Sequence, residues 1–154
     1  MSTEIDKLTE EDKKIILRAP AIVAILAAIS DDGEVSPQEK AASIKLAHFR
    51  TYTSIPMLQD YYKEVDKVFE QHFEEEMASL PEDWKDKETY LEEKLAAMTL
   101  VLPKMNDVYA KELISSLKSF AKHVFRTGSS FLEYFVLPVF MNRIEKKSFD
   151  GGIK

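Results

Sequence analysis

The nine residues from Ala21 to Ile29 include no polar side chain, and this run constrains the fold more than any other feature of the chain. Wound as a helix, it spreads Ile22, Val23, Ile25, Leu26 and Ile29 around the whole circumference and leaves no face for water. Such a helix has to be central, with other elements packed around it. The composition supplies them: 4 glycines, 6 prolines and 31% charged residues describe helices with short connections rather than sheets with many tight turns. A length of 154 residues with 45% hydrophobic side chains is enough for one buried core. The expected fold is all-α, a single compact multi-helix bundle over residues 9–149, with a flexible segment at 1–8 and a flexible tail at 150–154.

Helix punctuation divides the chain further. Thr9 and Asp12 are spaced like a capping box ahead of Ile15, Ile16 and Leu17, and Pro20 is expected to end that helix near Arg18 and restart it. Asp31-Asp32-Gly33 closes the apolar run, glycine permitting the left-handed backbone that ends helices. Ser36, Pro37 and Glu39 form a complete start signal: a capping hydroxyl, proline at the first helical position and a carboxylate three residues on. That helix should reach about Thr51, before a turn at Ser54-Ile55-Pro56. From Pro56 to Leu80, Leu58, Tyr62, Val65, Phe69 and Phe73 mark a buried stripe, with Glu74 to Glu76 on a solvated face. Trp84 falls in a polar connection, and Tyr90, Leu91, Leu95, Met98 and Leu102 give another stripe up to Pro103. A helix from Asn106 to Phe125 turns Val108, Leu113, Leu117, Phe120 and Val124 to the core, and Thr127-Gly128-Ser129 breaks the chain. A last helix starts near Ser130 with Glu133 completing a second box, Phe131 to Phe140 internal and a kink at Pro138. The two Ser-x-x-Glu boxes are what a diverged two-fold helical repeat would leave, although unrelated helices reusing the same cap leave the same trace.

Charge and cysteine usage exclude several classes of function. With 27 acidic against 21 basic side chains, the net charge of -6 repels phosphate backbones. No basic stripe overrides it, since Lys104, Lys111, Lys118 and Lys122 alternate with apolar positions and the cluster Arg143, Lys146, Lys147 contains Glu145. Nucleic acid is therefore not an expected partner. The absence of cysteine removes disulfides, thiolate metal sites and cysteine nucleophiles, and fits a reducing compartment. Residues 1–12 lack the pattern of a signal peptide, and the longest apolar stretch, Phe131 to Met141, is interrupted by Glu133 and falls short of the ~20 residues a spanning helix needs. A cytoplasmic protein without membrane contact is expected.

One loop stands out as a place for binding. Asp32 to Glu39 matches the second half of a calcium-binding EF-hand loop, with Gly33, Val35 and Glu39 at the expected places, while Ala28 and Ser30 stand where the first oxygen ligands belong. The stretch from Ala19-Pro20 through the apolar helix to Asp31-Asp32-Gly33-Glu34-Val35-Ser36 and Glu39 resembles the TerB-like family. The resemblance implies an all-helical protein linked to tellurite resistance and stress responses. It also implies a divalent cation as cofactor, with Asp31, Asp32 and Glu39 as the candidate metal ligands. In the second half of the chain, Arg126-Thr127-Gly128 stands where that family often has another acidic turn. The loop has a purely structural reading as well, which is preferred: Gly33 ends one helix, Ser36 and Glu39 cap the next, and the aspartates form a solvated turn.

Other constellations are weaker. His48, His72 and His123 are far apart and lack the Glu-x-x-His spacing of di-iron bundles, and Tyr61, Tyr62, Phe69 and Phe73 have the spacing of a core. No catalytic residue is singled out. The expected function is a non-enzymatic binding module acting through a protein partner, with a weak divalent-cation site at the loop. A pure interaction scaffold, a metal-dependent enzyme on the acidic loop and a membrane-surface helix at Ser130 to Lys147 are the alternatives.

Overall fold

The computed structural model describes residues 4–128, with the side chains of residues 30–32 and 125–128 outside the description. Every regular element among the described residues is helical: α1 (Glu10–Asp32), α2 (Pro37–Thr53), α3 (Pro56–Ser79), α4 (Trp84–Ala96), the single turn α5 (Met98–Val101) with a 3-10 turn (Leu102–Lys104) after it, and α6 (Asp107–Gly128). They pack as the all-α bundle expected. α1 is the axis and touches each of the other helices, and Ala21 to Ile29 are all buried, as a helix without a polar face requires.

Local signals set most of the boundaries. The Thr9 hydroxyl accepts the Asp12 N–H (3.1 Å) to start α1, and the Ser36–Glu39 box is present in both directions at the start of α2. In α3 the apolar stripe buries Leu58, Tyr61, Tyr62, Val65, Phe69 and Phe73 against α1, α2 and α6. α6 presents Tyr109, Ala110, Leu113, Ile114, Leu117, Phe120, Ala121 and Val124 to the core.

Pro20 does not end a helix: α1 runs unbroken from Glu10 to Asp32. The reason lies on α3. Proline has no N–H to give the carbonyl four residues back, here Ile16. The buried Tyr61 hydroxyl donates to the Ile16 carbonyl at 2.7 Å and replaces the missing donor. Burial pushes the Tyr61 phenol well up, so it stays protonated. A sequence-remote side chain thus repairs the ladder that the proline opens.

Residues 4–8 form a turn that seats Ile5 in the core, with the Glu4 carboxylate accepting the Asn106 N–H at 2.8 Å. Four other expectations change in detail. Glu76 is buried rather than solvated: Arg18 donates to one oxygen at 2.8 Å and Tyr90 to the other at 3.1 Å, which satisfies the carboxylate and ties α1, α3 and α4 together. Trp84 begins α4 instead of lying in a connection. The Tyr90-to-Leu102 stripe is split at Ala97, where Thr99 donates its hydroxyl to the Ala96 carbonyl at 2.7 Å. Val108 is 57% exposed because the Asn106 side chain accepts the N–H groups of Val108 and Tyr109, and this cap rotates Tyr109 rather than Val108 inward. The Ser130–Glu133 box, the last helix with its Pro138 kink, the second half of the repeat and the tail lie outside the described residues.

Candidate functional site

The acidic loop is built as a helix junction. After Asp32, Gly33 takes φ 83° and ψ 4°, the left-handed region, and its N–H bonds to the Ile29 carbonyl at 2.9 Å. The Trp84 ring lies against it: a Cβ on Gly33 would stand 3.1 Å from the ring, so space and backbone both require glycine here. Lys87 donates its ammonium to the Gly33 carbonyl at 2.9 Å. Three residues on, the Ser36 hydroxyl accepts the Glu39 N–H at 3.1 Å while Glu39 Oε1 accepts the Ser36 N–H at 2.8 Å.

Of the three expected metal ligands, Asp31 and Asp32 supply backbone to the last turn of α1, and their side chains are outside the described residues. Glu39 is 4% exposed with one carboxylate oxygen committed to the cap, and Lys87 brings positive charge to the same loop. Both features favour a junction over a cation, because a nearby ammonium opposes a second positive charge. Among the described residues no group of three or more His, Asp or Glu is placed to hold a metal.

A second site has no counterpart in the sequence reading. α2 and α6 lie side by side and enclose a groove of about 830 Å³. Leu46 and Leu58 line it on the inside, Phe49, Tyr52 and Lys45 come from α2, and Glu112, Ser115, Ser119 and His123 from α6. The edge formed by α2 and the turn after it is unusually apolar for a surface: Phe49 is 50% exposed, Tyr52 62% and Ile55, just before α3, 43%, with the Phe49 and Tyr52 rings edge-to-face at 5.2 Å.

Arg50 fixes the spacing of the two helices. Its guanidinium donates to the Ser116 carbonyl (3.0 Å), the Ser116 hydroxyl (2.9 Å) and the Ser119 hydroxyl (2.9 Å), and it lies over the rings of Tyr62 and Phe120 at 5.8 and 5.5 Å. Tyr62 and Ser116 share a further hydrogen bond at 2.6 Å. The groove is therefore held open by a rigid polar seam beneath it. Its rim carries Lys45, His48 and His123, with His48 bonded to Asp66 at 3.0 Å.

The sequence carries traces of this site in Phe49, Tyr52 and Ile55, each three residues apart, and in Ser115, Ser116 and Ser119 within an amphipathic helix. Neither trace reveals that the two helices are neighbours. No protein-family model, curated protein or solved structure matches the chain. No described helix is long and apolar enough to cross a membrane. The functional reading therefore rests on the groove and the junction.

Proposed function

We propose that this chain is a non-enzymatic helical binding module that acts through a protein partner and receives an amphipathic helix of that partner in the α2–α6 groove. The observation that carries the reading is the exposed aromatic edge, Phe49 and Tyr52, along a trough with an apolar floor. The α6 lining runs from Glu112 to His123, about 16 Å at the helical rise, which suits roughly three turns of a partner helix. The partner helix presents apolar residues at i, i+3, i+4 and i+7 to the floor. Acidic residues on its edge meet Lys45.

The loop at Asp31, Asp32 and Glu39 serves in this reading as the junction that sets α2 against α1. A divalent cation held there, as the TerB-like resemblance implies, would be weakly bound and accessory. The proposal extends to a stress-response role in line with that resemblance, and to a cytoplasmic location, which the lack of cysteine supports.

The test is a titration of the isotope-labelled full chain with a synthetic three-turn helical peptide carrying Leu or Phe at i, i+3, i+4 and i+7 and Glu on both edges. Saturable NMR shifts confined to α2 and α6, weaker when Lys replaces the edge Glu, support the reading. Scattered or absent shifts refute it. A rise in melting temperature with calcium, magnesium, manganese or zinc that Asp32→Asn and Glu39→Gln both abolish would move the working site to the loop.

A further inference from the structure

Arg50 brings a positive charge to the middle of the groove, and the fold gives it no counter-ion. Its guanidinium donates to the Ser116 carbonyl and to the Ser116 and Ser119 hydroxyls, all neutral groups, and no carboxylate among the described residues bonds to it. A half-buried guanidinium stacked on Tyr62 and Phe120 is poorly placed to be neutralised by water, and its planar fork matches a carboxylate. The Ser119 hydroxyl accepts from Arg50 and keeps its own hydrogen free to donate beside it. The lining as a whole has the same sign. In a chain with 27 acidic and 21 basic side chains, the described lining holds Lys45 and Arg50 against one carboxylate, Glu112.

These charges are also ordered along the groove. His48 and Arg50 of α2 pair with Asp66 and Tyr62 of α3, so α2 and α3 run antiparallel. Tyr62 and Phe69 of α3 meet Ser116 and Phe120 of α6, so α3 and α6 run parallel. It follows that α2 and α6 are antiparallel, which puts Lys45 at the His123 end of the groove and Ser54 and Ile55 at the Glu112 end. Arg50 lies five residues from both Lys45 and Ile55, about 7–8 Å along the helix from either. The Ser54 hydroxyl is buried and has no partner among the described residues.

On the reading of the groove as a helix-receiving surface, we propose that it takes its partner helix in one direction, parallel to α6, and selects a single carboxylate at the centre of that helix's apolar face to bond Arg50 and Ser119. The free N–H groups and positive dipole end of the partner helix then lie by Glu112 and the unpaired Ser54 hydroxyl, and its free carbonyls lie by Lys45. The reverse direction sets the positive end against Lys45 and the carbonyls against Glu112, so like charges oppose it. The central carboxylate supplies the counter-ion that Arg50 lacks within the fold.

The test uses the native chain and three forms of the edge-Glu peptide, with Leu, Glu or Gln at i+3. The Glu form should bind on the order of tenfold more tightly than the Gln form of the same shape. Equal affinities, or binding of the Leu form alone, overturn the proposal and leave the helix-receiving groove standing; failure of all three to bind removes both. A spin label at the C-terminus of the Glu peptide should broaden the amide signals of Lys45 and His123, and one at its N-terminus those of Ile55 and Glu112. The opposite pattern, or the same broadening from both labels, overturns the direction and with it the proposal.

Arg50→Gln should erase the preference for Glu over Gln. Because Arg50 also bonds α6, Ser119→Ala at an exposed position gives a milder variant, in which the preference should fall severalfold while the affinity of the Gln form holds. A merely structural Arg50 would leave the ratio of the two peptides unchanged, and an unchanged ratio in Ser119→Ala or in folded Arg50→Gln overturns the proposal.

Discussion

Removing the Tyr61 hydroxyl isolates the device that lets α1 pass through Pro20. In Tyr61→Phe the Ile16 carbonyl loses the hydroxyl that replaces the N–H proline lacks, at a residue that is fully buried. A lost buried hydrogen bond that leaves an acceptor bare costs about 1–3 kcal/mol, and for a chain of this size each kcal/mol corresponds to roughly 2–4 °C in melting temperature. The substitution should therefore lower Tm by several degrees.

A sharper contrast is expected in the Pro20→Ala background. Alanine restores the N–H to Ile16, so Tyr61→Phe should there cost well under about 1 kcal/mol, a coupling on the order of 1–2 kcal/mol between residues 41 apart in sequence. Urea unfolding of the four proteins, followed by far-UV circular dichroism, measures the cycle. Equal costs in the two backgrounds would show that the hydroxyl does not stand in for the proline's missing donor.

The junction and its surroundings give three further expected outcomes. Ser36→Ala should lose on the order of 1 kcal/mol in denaturant unfolding, since the Glu39 N–H loses the Ser36 hydroxyl that accepts it while the backbone bond from the Ser36 N–H to Glu39 remains; no loss would mean that α2 starts without the hydroxyl. Gly33→Ala should cost about 1–2 kcal/mol from the left-handed backbone, with added strain against Trp84 visible as a shifted indole fluorescence, and a neutral result would contradict the geometry. His72 has its pKa lowered from 6.5, first by burial and then by the Arg18 charge, although Glu75 and Glu76 oppose this. It is held neutral in the fold while the unfolded chain takes up a proton below about 6.5, so stability should begin to fall as pH drops through that value. His72→Gln should flatten the part of the slope that lies above the carboxylate range, and parallel slopes for the two proteins would exclude His72 as its source.

What can be read from the sequence is local. The Ser36–Glu39 box, the left-handed Gly33 and the stripe of α3 depend on residues within about one or two helical turns, and each stands as expected. The burial of Ala21 to Ile29 is legible because a helix without a polar face admits one environment. The expectations that fail share the opposite property. Pro20 ends a helix unless Tyr61 arrives from α3, Glu76 is a surface carboxylate unless Arg18 and Tyr90 converge on it, and Trp84 is a loop residue until Gly33 lies beneath its ring. Periodicity alone assigns Val108 to the core, and the Asn106 cap shifts the phase by one residue. The groove is illegible for the same reason, because its two walls are separated by the whole of α3, α4 and α5 in sequence.

If the groove is the working surface, Phe49 and Tyr52 test it most directly because their exposure allows substitution without disturbing the core. The measurement is the affinity of the edge-Glu helical peptide for the native chain and for a Phe49→Asp, Tyr52→Asp double variant, read by fluorescence anisotropy alongside each melting temperature. Replacing two apolar anchors by charges of the same sign as the acidic peptide should weaken binding by at least about tenfold, equivalent to roughly 1.4 kcal/mol, with Tm nearly unchanged. An affinity that survives the substitutions would remove the groove from the function of this protein.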